Sequence, residues 1–210
     1  MKDETTQTDL ALLHDAYASE YDEQMRAYEC YLADALFGLC FEHLRPGENL
    51  FDLGIGSGLS AIPFAKAELS VYGMDFSPAM LELCRAKDIA VELKQHDLLQ
   101  TPWPYPASQF DHLVCCGVLH FISDLDAIFS EAKRVMRNNG IFAFTTKVPA
   151  TSHPEHHKYD HQTVGTFDIF AHHTEYLQNV LEHTHFKPLK QLKCYVGFEL
   201  FNLYVTKPLP

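Results

Sequence analysis

Asn49 to Ser60, NLFDLGIGSGLS, is the stretch that decides the fold. Apolar residues dominate positions 50–53 and stop at glycine, after which Gly54, Gly56 and Gly58 alternate with other residues and an apolar helical segment begins. A strand that enters a glycine-rich turn and feeds a helix is typical of nucleotide-binding loops. Glycine adopts backbone angles closed to other residues and lets a ligand approach the main chain. The stretch therefore predicts a ligand-binding loop at the end of a strand.

The composition is that of a globular domain, with 210 residues, 47% hydrophobic and 21% charged. Lys and Arg number 16 and Asp and Glu 28, which gives a formal net charge of −12 and opposes binding to nucleic acid. The first ten residues are polar and acidic, unlike a signal peptide, and no apolar run reaches the length of a membrane span. The six cysteines form no C-x-x-C pair. We therefore expect a cytoplasmic protein with free thiols.

Residues 9–45 carry apolar residues at three- and four-residue spacings and no proline, which predicts helices. Tyr17 and Tyr21 lie within this region. They either pack these helices onto the rest of the chain or reach over the glycine loop and close its pocket. The residues alone leave both interpretations open.

Beyond residue 48, strand-like and helix-like segments alternate. This order predicts an α/β fold: a doubly wound, mostly parallel, seven-stranded sheet with an antiparallel C-terminal hairpin and N-terminal helices. We expect one domain, 1–210, with a helical cap over 1–45 and an irregular, histidine-rich, lid-like insertion over 148–172. The predicted strands are 50–53, 69–74, 89–95, 110–116, 141–147, 189–196 and 199–206, and the predicted helices between them are 59–67, 79–86, 125–137 and 174–185.

The residues around the loop limit the kind of ligand. A dinucleotide fingerprint has a third glycine where this chain has Leu59. Asp52 is expected at the mouth of the turn, where a carboxylate would repel a diphosphate and attract a cationic ligand. Asp75 and Asp97 follow the next two predicted strands, where carboxylates can accept hydrogen bonds from a ribose and an adenine amino group. Together they predict a ligand with a ribose, a base and a positive end.

With these motifs in order, the sequence resembles the class I S-adenosylmethionine-dependent methyltransferases, whose fold is Rossmann-like. The resemblance covers nearly the whole chain. Its segments are FDLGIGSG (51–58), GMDFSPAML (73–81), HDLLQTPWP (96–104), FDHLVCCGVLHFISD (110–124) and VMRNNGIFAFTTK (135–147), with AYASEYDEQM near the start. It implies S-adenosyl-L-methionine as cofactor and in-line methyl transfer to an acceptor.

The resemblance also implies a role for individual residues. Those around the glycine loop would hold the methionine part of the cofactor, those after the second and third strands its ribose and adenine, and those after the fourth strand would lie beneath the sulfonium. The implied cofactor-binding set is Tyr17, Tyr21, Asp52, Gly54, Gly56, Gly58, Asp75, Phe76, Met80, Asp97, Leu98, Cys116 and Gly117.

His120 is the candidate catalytic residue, because it follows the fourth strand near the expected position of the methyl group. A general base is needed only for a poor nucleophile such as an alcohol, so His120 is either that base or a hydrogen-bonded residue at the pocket edge. Eight histidines fall between His153 and His185, but they form no motif that indicates a metal site, and we expect no metal.

The acceptor is expected to be a small molecule. The fourth strand ends in Cys-Cys-Gly, without the signatures of DNA-methylating or magnesium-dependent enzymes that the resemblance would otherwise suggest. Two alternatives stay open: a cofactor-binding protein that transfers nothing, acting as a sensor or partner subunit, and an NAD-dependent oxidoreductase.

Overall fold

The computed structural model describes residues 18, 20–150 and 157–210. The chain forms a seven-stranded sheet with helices on both faces and a separate two-stranded hairpin. Residues 20–27 are helical (α1). The later elements are α2 Leu32–Cys40, a 3-10 turn Phe41–His43, β1 Asn49–Leu53, α3 Ile62–Lys66, β2 Ser70–Asp75, α4 Pro78–Arg85, β3 Glu92–Gln95, β4 His112–Cys115, a 3-10 turn Leu119–Phe121, α5 Asp126–Val135, β5 Phe142–Lys147, β6 Tyr159–Val164, β7 Phe167–His172, α6 Thr174–His183, β8 Phe186–Val196 and β9 Glu199–Pro208.

The large sheet has the strand order β3-β2-β1-β4-β5-β9-β8. Strands β1 to β5 pair in parallel, while β9 pairs antiparallel with both β5 and β8. The chain moves outward from β1 to β3 and then returns to place β4 on the other side of β1. A crevice forms at such a switch point, outside the carboxyl ends of the strands. The predicted fold class is confirmed.

Each face of the sheet has its own hydrophobic cluster, because side chains alternate along a strand. In β1, Phe51 and Leu53 belong to the cluster under α5 and α6, whereas Leu50 belongs to the cluster under α2, α3 and α4. Helix α5 contributes the fully buried Ile128 and Phe129 to the first cluster. With both faces buried, the sheet holds its strand ends in a fixed arrangement on which a site can be built.

The predicted boundaries differ from the structure in several places. Helix α1 ends at residue 27, and a turn in which Glu29 has φ +51° separates it from α2. The segment 148–172 was predicted to be irregular, and this was wrong for its described part: β6 and β7 form an antiparallel hairpin. Strand β6 is half-exposed or exposed along its length, so its side chains lack the apolar alternation that identifies a strand from sequence. The single-domain boundaries stay a prediction.

Among the described residues, no helix is long and apolar enough to cross a membrane.

Candidate functional site

A cavity of about 400 Å³ opens at the carboxyl ends of β1 to β4. It is covered from one side by the N-terminal helices and from the other by the β8–β9 hairpin. The lining residues are Tyr21, Met25, Cys30, Leu32, Ala33, Gly54, Ile55, Gly56, Ser57, Leu59, Ser60, Asp75, Phe76, Met80, His96, Asp97, Leu98, Leu99, Cys116, Gly117, Val118, His120, Phe121, Ile122, Val196 and Phe201.

The glycine loop forms the floor of this cavity. The N–H groups of Gly54 and Ile55 both donate to the carbonyl of Met74, which fastens the loop to the end of β2 (2.9 and 3.1 Å). Gly56 has φ +54°, and a Cβ placed on it would meet no atom closer than 4.0 Å. A glycine at this position therefore allows the positive φ, and its missing side chain leaves the space above the loop open to a ligand.

Asp75 orients the loop and faces the cavity. Its Oδ2 accepts from the Gly56 N–H and its Oδ1 from the Ser77 N–H, both at 2.9 Å. The side chain is 8% exposed. An ionised carboxylate has about four acceptor positions, so a carboxylate at this place can accept from more groups than these two N–H groups. It occupies the position expected from the sequence.

The residues after β2 and β3 form the adjacent wall. Phe76 and Met80 line it, with Met80 at the start of α4. Asp97 and Leu98 line it as well, and the Asp97 Oδ1 accepts from the Leu99 N–H at 2.8 Å. The structure therefore brings four predicted binding residues to one side of the cavity.

Asp52 lies beneath the loop rather than at the cavity wall. Its side chain is fully buried, its Oδ2 accepts from the Ser60 hydroxyl at 2.6 Å, and its Oδ1 has no hydrogen-bond partner among the described residues. Burial raises the pKa of Asp52 to about 7; the Ser60 hydrogen bond opposes this shift, and the charge of Asp75 adds to it. Asp52 shares a face of β1 with Leu50, so it points sideways under α3 and α4 instead of forward into the crevice.

Gly58 also lies outside the cavity lining. It has φ +88°, and a Cβ there would come within 2.8 Å of the Cys84 sulfur and 2.9 Å of Ile89. This glycine therefore allows the loop to pack closely against α4. The prediction that Gly58 binds the cofactor gains no support from its position.

Helix α1 is tied to the glycine loop by a polar network. The Ser57 hydroxyl donates to Asp22 Oδ1 at 2.6 Å. The Lys87 ammonium pairs with Asp22 Oδ2 at 2.8 Å and donates to the Ser57 carbonyl at 2.7 Å. This network holds Tyr21 against the cavity, and burial raises the pKa of the Tyr21 hydroxyl, so it stays protonated at neutral pH. Tyr17, named with it, lies outside the described residues.

The residues after β4 line the other side of the cavity. The Gly117 N–H donates to the Thr145 hydroxyl at 2.8 Å, and a Cβ on Gly117 would meet nothing within 4 Å, so a side chain there would enter open space. Burial raises the pKa of the Cys116 thiol well above its usual value, so it is no nucleophile at neutral pH. His120 lies between two aromatic rings, 4.1 Å from Phe121 and 5.5 Å from Phe201 between ring centroids.

Several lining residues were missed from the sequence. Val196 and Phe201 come from the closing hairpin, Leu32 and Ala33 come from the start of α2, and Cys30 comes from the turn before it. Nothing in the apolar periodicity of these segments distinguishes a cavity wall from ordinary core. His96 and Leu99 flank the predicted pair at the end of β3, and their position next to Asp97 and Leu98 was the available signal.

The histidine-rich hairpin stands apart from the cavity. None of its described residues lines the cavity, and Phe167 reaches it only indirectly, through Phe121 at 5.8 Å between centroids. His173 pairs with Asp160 at 3.0 Å, and His161 with Asp168 at 2.9 Å. Within the described ranges, no cluster of three or more His, Cys, Asp or Glu side chains is arranged to hold a metal ion. The lid-like role stays a prediction.

The described lining of the cavity carries negative but no positive formal charge. Of its described lining residues, Asp75 and Asp97 carry formal charge at neutral pH, and none is Lys or Arg. Lys87, whose ammonium contacts the carbonyl of the lining residue Ser57, is paired with Asp22, and Lys147 at the end of β5 is paired with Glu199 at 2.7 Å. A ligand with a positive end fits this cavity, whereas a pyrophosphate would find two carboxylates and no cation.

Residues 51–144 match the family described as a methyltransferase domain. Two named proteins are similar in sequence to this chain. The biotin biosynthesis bifunctional protein of Saccharophagus degradans is 31% identical over 137 residues, 64% of this chain and 24% of that protein. The malonyl-[acyl-carrier protein] O-methyltransferase of Serratia marcescens is 30% identical over 137 residues, 62% of this chain and 52% of that protein. The match thus spans about half or less of these relatives' length.

The fold has close counterparts among solved structures. The 1,6-didemethyltoxoflavin-N1-methyltransferase of Burkholderia thailandensis superposes with a TM-score of 0.72 over 97% of this chain and 90% of that chain, at 15% sequence identity. The domain match covers the glycine loop, Asp75 at the end of β2 and His120 in the 3-10 turn after β4. Residues 51–144 therefore carry a methyltransferase domain, and the fold around them is that of solved S-adenosylmethionine-dependent methyltransferases.

Proposed function

We propose that the chain binds S-adenosylmethionine in the described cavity and transfers its methyl group to a small-molecule acceptor. The observation that carries this proposal is the cavity wall, in which Asp75 and Asp97 stand beside an open glycine floor with no Lys or Arg among the described lining residues. That pattern suits a cofactor with a ribose, a base and cationic groups, and it disfavours a dinucleotide.

The residues present fit this cofactor. Asp75 would accept from the ribose hydroxyls, since two backbone N–H groups already fix its orientation. Asp97 would accept from the adenine amino group and the Leu98 N–H would donate to a ring nitrogen, with Phe76 and Met80 beside the base. Gly54 and Gly56 would lie beneath the methionine part, where a side chain on Gly56 would occupy the ligand's space.

The bound cofactor supplies a methyl group already activated by a positively charged sulfur. The chain's own contribution is to align the acceptor and exclude water, and such positioning alone reaches effective molarities of about 10⁵–10⁸ M in well-oriented reactions. Tyr21 and helix α1 close one side of the cavity, and Cys116 and Gly117 form the base of the transfer site. His120 would take the proton that a hydroxyl acceptor loses and pass it to solvent.

A small-molecule acceptor is supported by the relatives. One of them, from Amycolatopsis mediterranei, is a 27-O-demethylrifamycin SV methyltransferase, 30% identical over 138 residues. We also place the enzyme in the cytoplasm, because all six cysteines are free thiols, which is typical of a reducing compartment.

Cofactor binding is tested by the thermal shift that S-adenosylhomocysteine causes in three forms of the protein. Asp75→Asn removes the charge that would accept from the ribose, so binding should weaken about tenfold or more. Asp111→Asn is the matched control, because Asp111 also accepts a backbone N–H (from Asn49, 2.9 Å) but does not line the cavity. Equal shifts in the two variants would contradict the assignment of Asp75.

Catalysis is tested separately from binding. A screen with radiolabelled cofactor against fractionated metabolites should yield at least one labelled product, and His120→Gln should slow its formation while leaving cofactor affinity intact. Tight cofactor binding with every fraction unlabelled would favour the non-catalytic alternative. Stabilisation by NAD and not by S-adenosylhomocysteine would favour the oxidoreductase alternative.

A further inference from the structure

The cavity has a polar half and an apolar half, and different strands supply the two halves. The ends of β1, β2 and β3 supply polar groups, which include both carboxylates and His96. The end of β4, the turn side of the β8–β9 hairpin and helix α2 supply an apolar surface. Apart from thiols, His120 is the polar side chain among the described residues of this surface. The apolar residues of this second half are Leu32, Ala33, Val118, Phe121, Ile122, Val196 and Phe201.

The described residues of the apolar half supply no cation. None of its described lining residues is Lys or Arg, and Lys147 at the end of β5 is paired with Glu199. The whole chain carries a formal charge of −12. An anionic acceptor would therefore lose hydration without gaining a partner and would also meet a negative surrounding field.

The β8–β9 hairpin supplies the outer wall of this half. Val196 and Phe201 line the cavity on the two sides of its turn, while the neighbouring Tyr195 is mostly exposed and Phe198 fully exposed. Side chains alternate along a strand, so Tyr195 and Val196 point to opposite faces. One residue of the pair therefore contacts whatever occupies the apolar half, and the other does not.

Resting on the proposed function, we propose that the acceptor is an uncharged, largely apolar molecule, held against His120 and the β8–β9 hairpin. Val196 and Phe201 determine this specificity. A carboxylate acceptor is excluded by the same surface. The malonyl group acted on by the Serratia marcescens relative, which carries a carboxylate, is thus not the kind of acceptor this cavity fits.

The test compares two probes of similar shape, 2-naphthol and 2-naphthoate, by calorimetric titration into the protein saturated with S-adenosylhomocysteine at pH 7.5. The neutral naphthol should bind at least about tenfold more tightly than the anion. Val196→Lys should shift this preference toward 2-naphthoate by about tenfold, because it places a cation beside the apolar half. Tyr195→Lys, on the opposite face of the strand, should leave the preference unchanged.

Failure here is separable from failure of the proposed function. The affinity for S-adenosylhomocysteine is measured first and reports the cofactor site alone; if it is absent, the same probe titrations on the ligand-free protein still test the apolar half. Equal or tighter binding of 2-naphthoate, no binding of 2-naphthol, or equal responses to the two lysine variants would overturn the inference.

Discussion

Replacing Asp52 by asparagine should stabilise the protein much more at pH 8 than at pH 5. Asp52 is fully buried beneath the glycine loop, and burial raises its pKa from 3.8 to about 7. A carboxyl whose folded-state pKa lies above its unfolded value binds protons more tightly when folded, so its effect on stability worsens as the pH rises between the two values. At pH 8 the folded protein carries a buried carboxylate that the unfolded chain would solvate.

The magnitude follows from the two pKa values. Ionisation of Asp52 costs the folded state about 4 kcal/mol at pH 8 and about 1.5 kcal/mol at pH 5. Asparagine removes this cost. Its oxygen can still accept from the Ser60 hydroxyl, while its NH₂ group would stand where Oδ1 has no partner now. The cost of burying this NH₂ group without a partner does not depend on pH. Asp52→Asn should therefore raise the free energy of unfolding by about 2.5 kcal/mol more at pH 8 than at pH 5.

Urea unfolding of the unmodified protein and of Asp52→Asn at the two pH values measures this difference. Asp111→Asn is the control, because the Asp111 carboxylate pairs with Arg137 at 2.5 Å and its loss should destabilise the protein at pH 8. If the effect of Asp52→Asn is the same at both pH values within about 0.5 kcal/mol, Asp52 is not the buried, proton-binding group described here.

Three further perturbations have defined outcomes. Burial lowers the pKa of His172 to about 4, against the opposing effect of the Ile122 and Ser123 backbone. This histidine therefore makes the folded state lose about 2 kcal/mol of stability as the pH falls from 8 to 5. In urea unfolding, His172→Phe should lose less stability over this pH range than the unmodified protein does, and an equal loss would contradict this. Lys87→Met removes the ammonium that joins Asp22 to the glycine loop and should increase amide hydrogen exchange in α1 while β1 stays protected; equal exchange in α1 would show that the network does not hold the helix. Gly117→Val fills open space at the cavity and forces a β-branched residue to φ +72°, so S-adenosylhomocysteine affinity should fall at least about tenfold, whereas an unchanged affinity would place the ligand elsewhere.

The glycine loop, the strands around it and the position of Asp75 could be predicted because they depend on local patterns. A buried parallel strand reads as a continuous apolar run, and the acidic residue after the second strand falls at the crevice for topological reasons. The seven-stranded fold followed from the alternation of segments.

The direction of Asp52 could not be read from its place in the loop motif. It depends on which face of β1 the residue occupies and on α3 and α4 packing over that face. Similarly, Val196 and Phe201 reach the cavity only because β9 pairs with β5 across more than 50 residues of chain, a non-local contact that no short pattern records. The β6–β7 hairpin escaped prediction because its exposed strand carries polar residues on both faces.

Isothermal titration of the unmodified protein with S-adenosylhomocysteine, alongside NAD, tests the central claim most directly. The cavity floor of glycine, the two carboxylates on its polar side and the lack of a described lining cation predict one site per chain with a dissociation constant below about 1 mM, and no heat from NAD. No binding of S-adenosylhomocysteine, or saturable binding of NAD in its place, would contradict the assignment of this cavity to the methyl donor.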